Sequence, residues 1–337
     1  MTGLTAVWAG SGPVTDHLGF GQVGMFLMAV CMLDADPRVR LPRWLPRGVL
    51  TGCAGAVKLV PAAYLVVPLL RRRWRIVVTG AAAFATCTLV AFAVLPGDTI
   101  SYLTEAFPHL SERVAVGDPA VHGNQSIRGM LLRSLPDGTA TATVDAVWLA
   151  LCAAVIPAAI WAARRAQRSR GPLAGLVVLA LAVEIAAPVS WTHHFVWLVP
   201  AVGLLLTPVP RRRMTVASRV VAAVVVVAAY ARTAPLVASY SPGLPVLDRL
   251  GTEAILLAAA LTIVALGLPA PAAHGHPRPD RQGTFDVRGR GTTRAGCSPG
   301  PNFLALPAAP AYRAPGSGAE PGESAAAAGP TEGLSRP

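Results

Sequence analysis

The sequence has 337 residues, 53% hydrophobic and only 14% charged, with a mean hydropathy of +0.51. Soluble domains carry about 25% charged residues, so this is a membrane-class composition. The net charge of +12 invites a nucleic-acid reading, but the arginines sit in short clusters between apolar runs, as membrane loops keep them, and that reading is set aside. Cys31, Cys53, Cys87 and Cys152 fall inside apolar runs and Cys297 in a polar tail, without the spacing of a metal site or a disulfide framework. Residues 1–16 are polar-mixed with no basic stretch, unlike a secretory signal.

A bilayer core of about 30 Å needs about 20 apolar helical residues. In chain order the candidate spans are 18–33, 49–70, 76–95, 144–163, 173–189, 195–207, 216–236 and 250–268. Pro96-Gly97, Gly171-Pro172, Pro208 and Pro269 punctuate their ends. The expected fold is an all-α polytopic membrane protein of about seven or eight segments in residues 1–268. From Pro269 onward Pro, Gly, Ala, Ser and Arg dominate without periodicity, which predicts a disordered tail over 269–337.

Arginine placement orients the chain. Arg71, Arg72, Arg73 and Arg75 precede the third span, Arg164, Arg165, Arg168 and Arg170 follow the fourth, and Arg211, Arg212 and Arg213 follow the sixth. Connection 96–143 carries five acids against three arginines, 190–194 has no full charge, and 234–249 is balanced. The clusters and the tail are therefore expected in the cytoplasm, and the other three connections outside. The loop 36–48 holds Arg38, Arg40, Arg43 and Arg47, yet one apolar run separates it from the next cluster. Both loops share a side if 49–70 does not cross. Lys58-Leu59-Val60-Pro61, a charge followed by a helix breaker, suits a re-entrant or broken segment. A lysine at bilayer depth costs about 2.5–3.5 kcal/mol, so Lys58 is either a functional cation or a snorkelling side chain.

Three polar stretches stand out. His122-Gly123-Asn124-Gln125-Ser126-Ile127-Arg128-Gly129 is dense in donors and bracketed by glycines. Arg128 suits a phosphate, and Asn124, Gln125 and Ser126 suit sugar hydroxyls. Asp98, Glu105, Glu112 and Asp118 precede it. Asn124-Gln125-Ser126 also fits the N-glycosylation pattern, which is common by chance. The second stretch is Ser190-Trp191-Thr192-His193-His194 with Trp197. Adjacent histidines on a helix diverge by about 100°, which makes a poor metal pair, so no metal is expected and one imidazole is read as a phosphate or hydroxyl partner. Trp191 and Trp197 suit either this site or an interfacial belt. Glu184, inside the preceding span, needs a polar partner. The third is Gly19-Phe20-Gly21-Gln22, with Gln22 as an isolated polar group. Glu253 near the chain's last span is paired, on this reading, with Arg232.

Taken in order, Gly21-Gln22-Val23, Lys58-Leu59-Val60-Pro61, Pro96-Gly97-Asp98 with Tyr102, Gly123 to Gly129, and Ser190 to His194 with Trp197 resemble the family-87 membrane glycosyltransferases. These are actinobacterial polyprenol-phosphate-mannose-dependent α-(1→2)-mannosyltransferases. The resemblance covers residues 19–268 and implies a GT-C-like helical bundle in the plasma membrane with an extracytoplasmic active site. It also implies that a mannose passes with inversion from a polyprenyl monophosphate to a glycan or glycolipid acceptor, with no cofactor. By that resemblance Lys58, Asn124, Gln125, Ser126, Arg128, His193 and His194 hold the donor. Gln22, Tyr102, Trp191 and Trp197 accompany them. The family's catalytic Asp lies in a loop that precedes everything matched here, so the chain reads as the C-terminal portion of such an enzyme. Asp98 and Asp118 are then the candidate bases. Two alternatives stand: a transporter or lipid-translocating protein using Lys58 and Glu184, and an inactive remnant of the enzyme.

Overall fold

The computed structural model describes residues 8–107, 118–207, 215–230 and 245–268, all within one compact unit, Met1–Arg278. The tail 269–337, Arg211 to Arg213, Glu112, Arg232 and the end of the seventh expected span lie outside the described residues. The described chain is helical, and its one isolated β-bridge joins Asn124 to Trp191. The helices are α1 (Gly12–Gly19), α2 (Gly24–Ala35), α3 (Val49–Val57), α4 (Val66–Leu69), α5 (Trp74–Val94), α6 (Pro96–Ser101), α7 (Ile127–Ser134), α8 (Thr141–Arg170), α9 (Pro172–Ala186), α10 (Leu198–Leu206), α11 (Val216–Tyr230), α12 (Pro245–Thr252) and α13 (Ala254–Gly267). Tight 3-10 turns occupy Val60–Leu65 and Thr192–Trp197.

The expected spans are not uniform in length among the described residues. Among the described residues, α5 and α8 are long and apolar enough to cross a membrane, and α1 with α2 makes a third such unit bent by 115°. Five shorter apolar helices complete the set: Val60–Leu69, Pro172–Ala186, Thr192–Leu206, Val216–Tyr230 and Ala254–Gly267. The first expected span fails at Phe20 to Val23, where Gly21 takes φ +61 and lets the chain turn. Leu18 and Gly19 therefore belong to α1, and Gln22 sits in the break. Conversely, α8 extends beyond its expected end, so Arg164, Arg165, Arg168 and Arg170 are helical rather than a loop. The last expected span is interrupted at Glu253, so Leu250 belongs to α12.

The 49–70 segment doubles back on itself, as expected of a re-entrant segment. Helix α3 ends at Lys58, whose backbone is extended (φ −143, ψ 125), and Pro61 opens the 3-10 turn. The two arms then fold back on each other. A Cβ on Gly55 would lie 3.0 Å from that of Ala62, although seven residues of continuous helix span about 10 Å. Gly48 at the start of the hairpin and Leu65 at its end both pack against the first turns of α5, at Ile76 and Gly80. The chain thus enters and leaves at one end, with Lys58 at the tip. Asp34, 4% exposed, secures that entry: its carboxylate accepts from Gly48 N (2.8 Å), Thr51 N (3.0 Å) and Thr51 Oγ1 (2.7 Å). A carboxylate facing the first amides of a helix is favourable in charge as well as in hydrogen bonding. In the following loop Arg38 hydrogen-bonds Asp36 and holds its carboxyl below the ordinary range.

Helix α9 is the centre. It is apolar all round up to Val183, and it is buried from Ala174 to Ala182 between α8 and α13. One polar group is misplaced there. Gln167, 3% exposed, presses against Gly175, and neither its Nε2 nor its Oε1 has a partner. An unsatisfied buried amide costs about 1–3 kcal/mol. Gln167→Met, which keeps the shape and removes the polar atoms, is expected to raise the unfolding temperature in detergent. An unchanged or lower value would show that Gln167 is satisfied.

Candidate functional site

The polar loop and the His-His turn form one unit. Gln125 N donates to Ser190 O (2.7 Å) and Thr192 N to Gly123 O (3.0 Å), on either side of the Asn124–Trp191 bridge. Asn124 is fully buried. Its Oδ1 accepts from Ser190 N (2.9 Å) and Ser126 N (3.3 Å), and its Nδ2 donates to Pro119 O (2.9 Å). Gln125 donates to His122 O (2.5 Å) and Thr252 O (2.7 Å) and accepts from Leu256 N (3.1 Å), which ties the loop to α12 and α13. Ser126 caps α7 by accepting from Gly129 N (3.0 Å) and donates to Pro188 O (3.2 Å). Gly129 has no room for a side chain, since a Cβ would lie 2.6 Å from Asn124 O. The donors that the sequence offers to a sugar are here turned inward, and they fix the shape of the turn.

The arginines of this region are also engaged. Arg128 Nε donates to Asp145 Oδ1 (2.7 Å). Arg133 grips Glu253 with Nε to Oε1 at 2.8 Å and Nη2 to Oε2 at 2.7 Å, and its Nη1 donates to Val121 O (2.9 Å). Glu253 is therefore partnered by Arg133, 120 residues away; Arg232, the partner expected from the sequence, lies outside the described residues.

The turn presents its histidines to a pocket. Its lining includes Lys58, Tyr64, Glu184, His193, His194, Trp197 and His17, around about 370 Å3 of empty space with an open mouth. Ser190 Oγ donates to Glu184 Oε2 (3.0 Å) and lies 3.4 Å from His194 Nδ1, itself 3.6 Å from the same carboxylate oxygen. Glu184 and Ser190 thereby orient one imidazole. His17 anchors the backbone that carries the other: its Nδ1 donates to the His193 carbonyl O (3.1 Å), and its Nε2 accepts from Met25 N (2.9 Å). Those two partners set the His17 tautomer, because a carbonyl can only accept and an amide N–H can only donate. Phe20 stacks at a tilt on His193, 5.4 Å between ring centres. Trp197 is 4% exposed and meets Tyr64 edge-on at 5.3 Å, so it is a wall of the pocket and not a belt residue.

Of the residues singled out in the sequence, the pocket thus gathers Lys58, His193, His194, Trp197 and Glu184. Asn124, Gln125 and Ser126 stand behind the turn. Arg128, Gln22, Tyr102, Asp98, Asp118 and Trp191 are not among the lining. Tyr102 is 48% exposed and packs near Phe107, and Asp118 accepts from Ala120 N (2.8 Å). His17 and Tyr64 are additions. An imidazole two residues before the Gly19-Phe20-Gly21 break was the available signal for the first.

The sequence model of glycosyltransferase family 87 matches residues 1–190, which include the polar loop, the lysine tip and α9. The chain belongs to this family. Curated relatives agree. A polyprenol-phosphate-mannose-dependent alpha-(1-2)-phosphatidylinositol mannoside mannosyltransferase of Mycobacterium tuberculosis (strain ATCC 25618 / H37Rv) is 38% identical over 197 residues, 57% of this chain and 44% of the relative. Its namesake in Mycolicibacterium smegmatis is 35% identical over 208 residues, 60% and 45% of the two chains. A pentamannoside mannosyltransferase of M. smegmatis is 30% identical over 202 residues, 60% and 47%. The family-87 chain therefore spans about half the length of the curated relatives it matches. No solved structure matches it.

Proposed function

We propose that this family-87 chain binds the phosphate of a polyprenyl-phosphate-mannose donor and takes part in transfer of the mannose, with inversion, to a hydroxyl of a phosphatidylinositol-mannoside-type glycolipid. The observation that carries the proposal is the meeting of the Lys58 tip with His193 and His194 in one pocket. In such a transfer the bond from the anomeric carbon to the phosphate oxygen breaks while the acceptor oxygen attacks the opposite face. The leaving phosphate keeps the electron pair. An ammonium and imidazole N–H groups aimed at that oxygen stabilise the charge that develops on it. Lys58 supplies the cation, and the two histidines, held by Glu184, Ser190 and His17, supply positioned donors.

The acceptor proton needs a carboxylate base. Glu184 is the carboxylate in the lining, and it is committed to Ser190 and His194, so its role here is to orient. The pocket's share of the reaction is then donor binding and leaving-group stabilisation. Arginine counting supports an extracytoplasmic mouth for the pocket in a plasma-membrane protein. The names of the relatives, which specify both a polyprenol-phosphate-mannose donor and a phosphatidylinositol mannoside acceptor, support this choice of substrates.

The test is donor dependence. Membranes bearing the chain are supplied with labelled polyprenyl-phosphate-mannose and, separately, with a labelled mannose nucleotide under conditions that block its conversion to the lipid-linked form. Label is expected to enter a glycolipid from the first donor only. Transfer from the nucleotide, or none above membranes lacking the chain, would overturn the reading.

A further inference from the structure

A second cavity opens at the other end of the re-entrant hairpin, where the arginines gather. It holds about 590 Å3 of empty space including its mouth. Its floor is apolar, built from residues such as Val67, Ile76 and Leu176, and Arg47, Arg71 and Arg73 lie around it. The single acid in the lining is Asp34, whose oxygens are already taken by the amides of Gly48 and Thr51 and by the Thr51 hydroxyl. Arg47 is spent on the carbonyls of Asp34 and Val39. The guanidiniums of Arg71 and Arg73 have no hydrogen-bonding or carboxylate partner among the described residues.

The backbone arranges that pair. Arg71 N and Arg73 N both donate to Pro68 O, at 3.1 and 3.0 Å, and Arg72 between them takes φ +55. This left-handed turn brings Arg71 and Arg73 to the cavity, whose lining does not include Arg72 or Arg75. A non-glycine residue adopts that conformation only at a cost. Trp74, which begins the long helix α5, and Pro172, which begins α9, mark this as the level where apolar helices start. An apolar floor under two free guanidiniums at that level matches an amphiphile with an anionic head.

We propose that this cavity binds an acidic phospholipid of the leaflet at the arginine-bearing end, with Arg71 and Arg73 on its phosphate and its acyl chain over the apolar floor. Guanidinium pairs with phosphate through parallel hydrogen bonds, which a merely topological arginine would not need. The site is distinct from the histidine pocket, though Tyr64 lines both. It stands whether or not the transfer reaction above is correct.

The full chain in detergent is titrated with dioctanoyl phosphatidic acid, dioctanoyl phosphatidylcholine and inorganic phosphate. Saturable binding of the acidic lipid is expected, weakened about tenfold in R71Q/R73Q and little changed in R72Q/R75Q, which removes the same charge from outside the cavity. Equal losses in the two double variants would mean diffuse surface attraction and overturn the site. Phosphatidylcholine binding as tightly would remove the case for an anionic head, and inorganic phosphate binding as tightly would remove the case for a lipid.

Discussion

Arg133→Ala is expected to destabilise the fold by about 3–5 kcal/mol, the largest single-residue stability loss outside the apolar core. The Arg133 and Glu253 side chains are only 13% and 12% exposed, and their two-pronged contact joins α7 to the start of α13. Truncating the arginine leaves a carboxylate with little water and no cation, and it also frees Val121 O. Lysine at the same position keeps the charge but loses the fork, so Arg133→Lys should fall between wild type and alanine. Removing both partners behaves differently. Arg133→Met with Glu253→Leu should recover most of the loss, because no uncompensated charge remains buried. Unfolding temperatures in nanodiscs distinguish these cases. A single alanine variant as stable as wild type would show that the pair is solvated and of little weight.

The sequence made the pieces legible and concealed how they turn. The break at Lys58 was readable because a charge beside Val60-Pro61 cannot continue an apolar helix, and the arginine count on either side demanded a segment that does not cross. The adjacency of the polar loop and the His-His turn followed from the same count, and hydrogen bonds from Gln125 and Thr192 now join them. Which way the side chains face was not readable. Asn124, Gln125 and Ser126 look identical on paper whether they serve a ligand or their own backbone, and a buried loop has many amides to satisfy. Pairs distant in sequence were equally hidden: nothing local connects Arg133 to Glu253. His17 was missed because α1 reads as a polar-mixed stretch ahead of the first apolar run until Gly21 bends the chain and lays that helix across the turn. Trp197 was ambiguous because a tryptophan near a helix end suits a membrane interface as well as a pocket wall, and only the Tyr64 contact decides between them.

The strongest functional prediction separates the pocket from its scaffold. Lys58→Met is expected to lower mannose transfer from the lipid-linked donor by about 10²–10³-fold, the usual cost of removing one preorganised stabiliser of a developing oxyanion. It should do so with little change in unfolding temperature, because no hydrogen bond or ion pair holds the Lys58 side chain among the described residues. Lys58→Arg, which keeps a cation at the hairpin tip, should recover part of the rate. Asn124→Ala should lower stability and transfer together, since Asn124 shapes the turn from behind. Arg128→Ala sets the comparison that matters most. Sequence alone gives Arg128 the phosphate, but its guanidinium is paired with Asp145 and it is not part of the lining, whereas Lys58 is. If Arg128→Ala abolished transfer and Lys58→Met left it intact, the donor phosphate would belong at the polar loop and not at the histidine pocket. The opposite order places the leaving group against the tip of the re-entrant hairpin, which gives a reason for a lysine at the break between its two apolar arms.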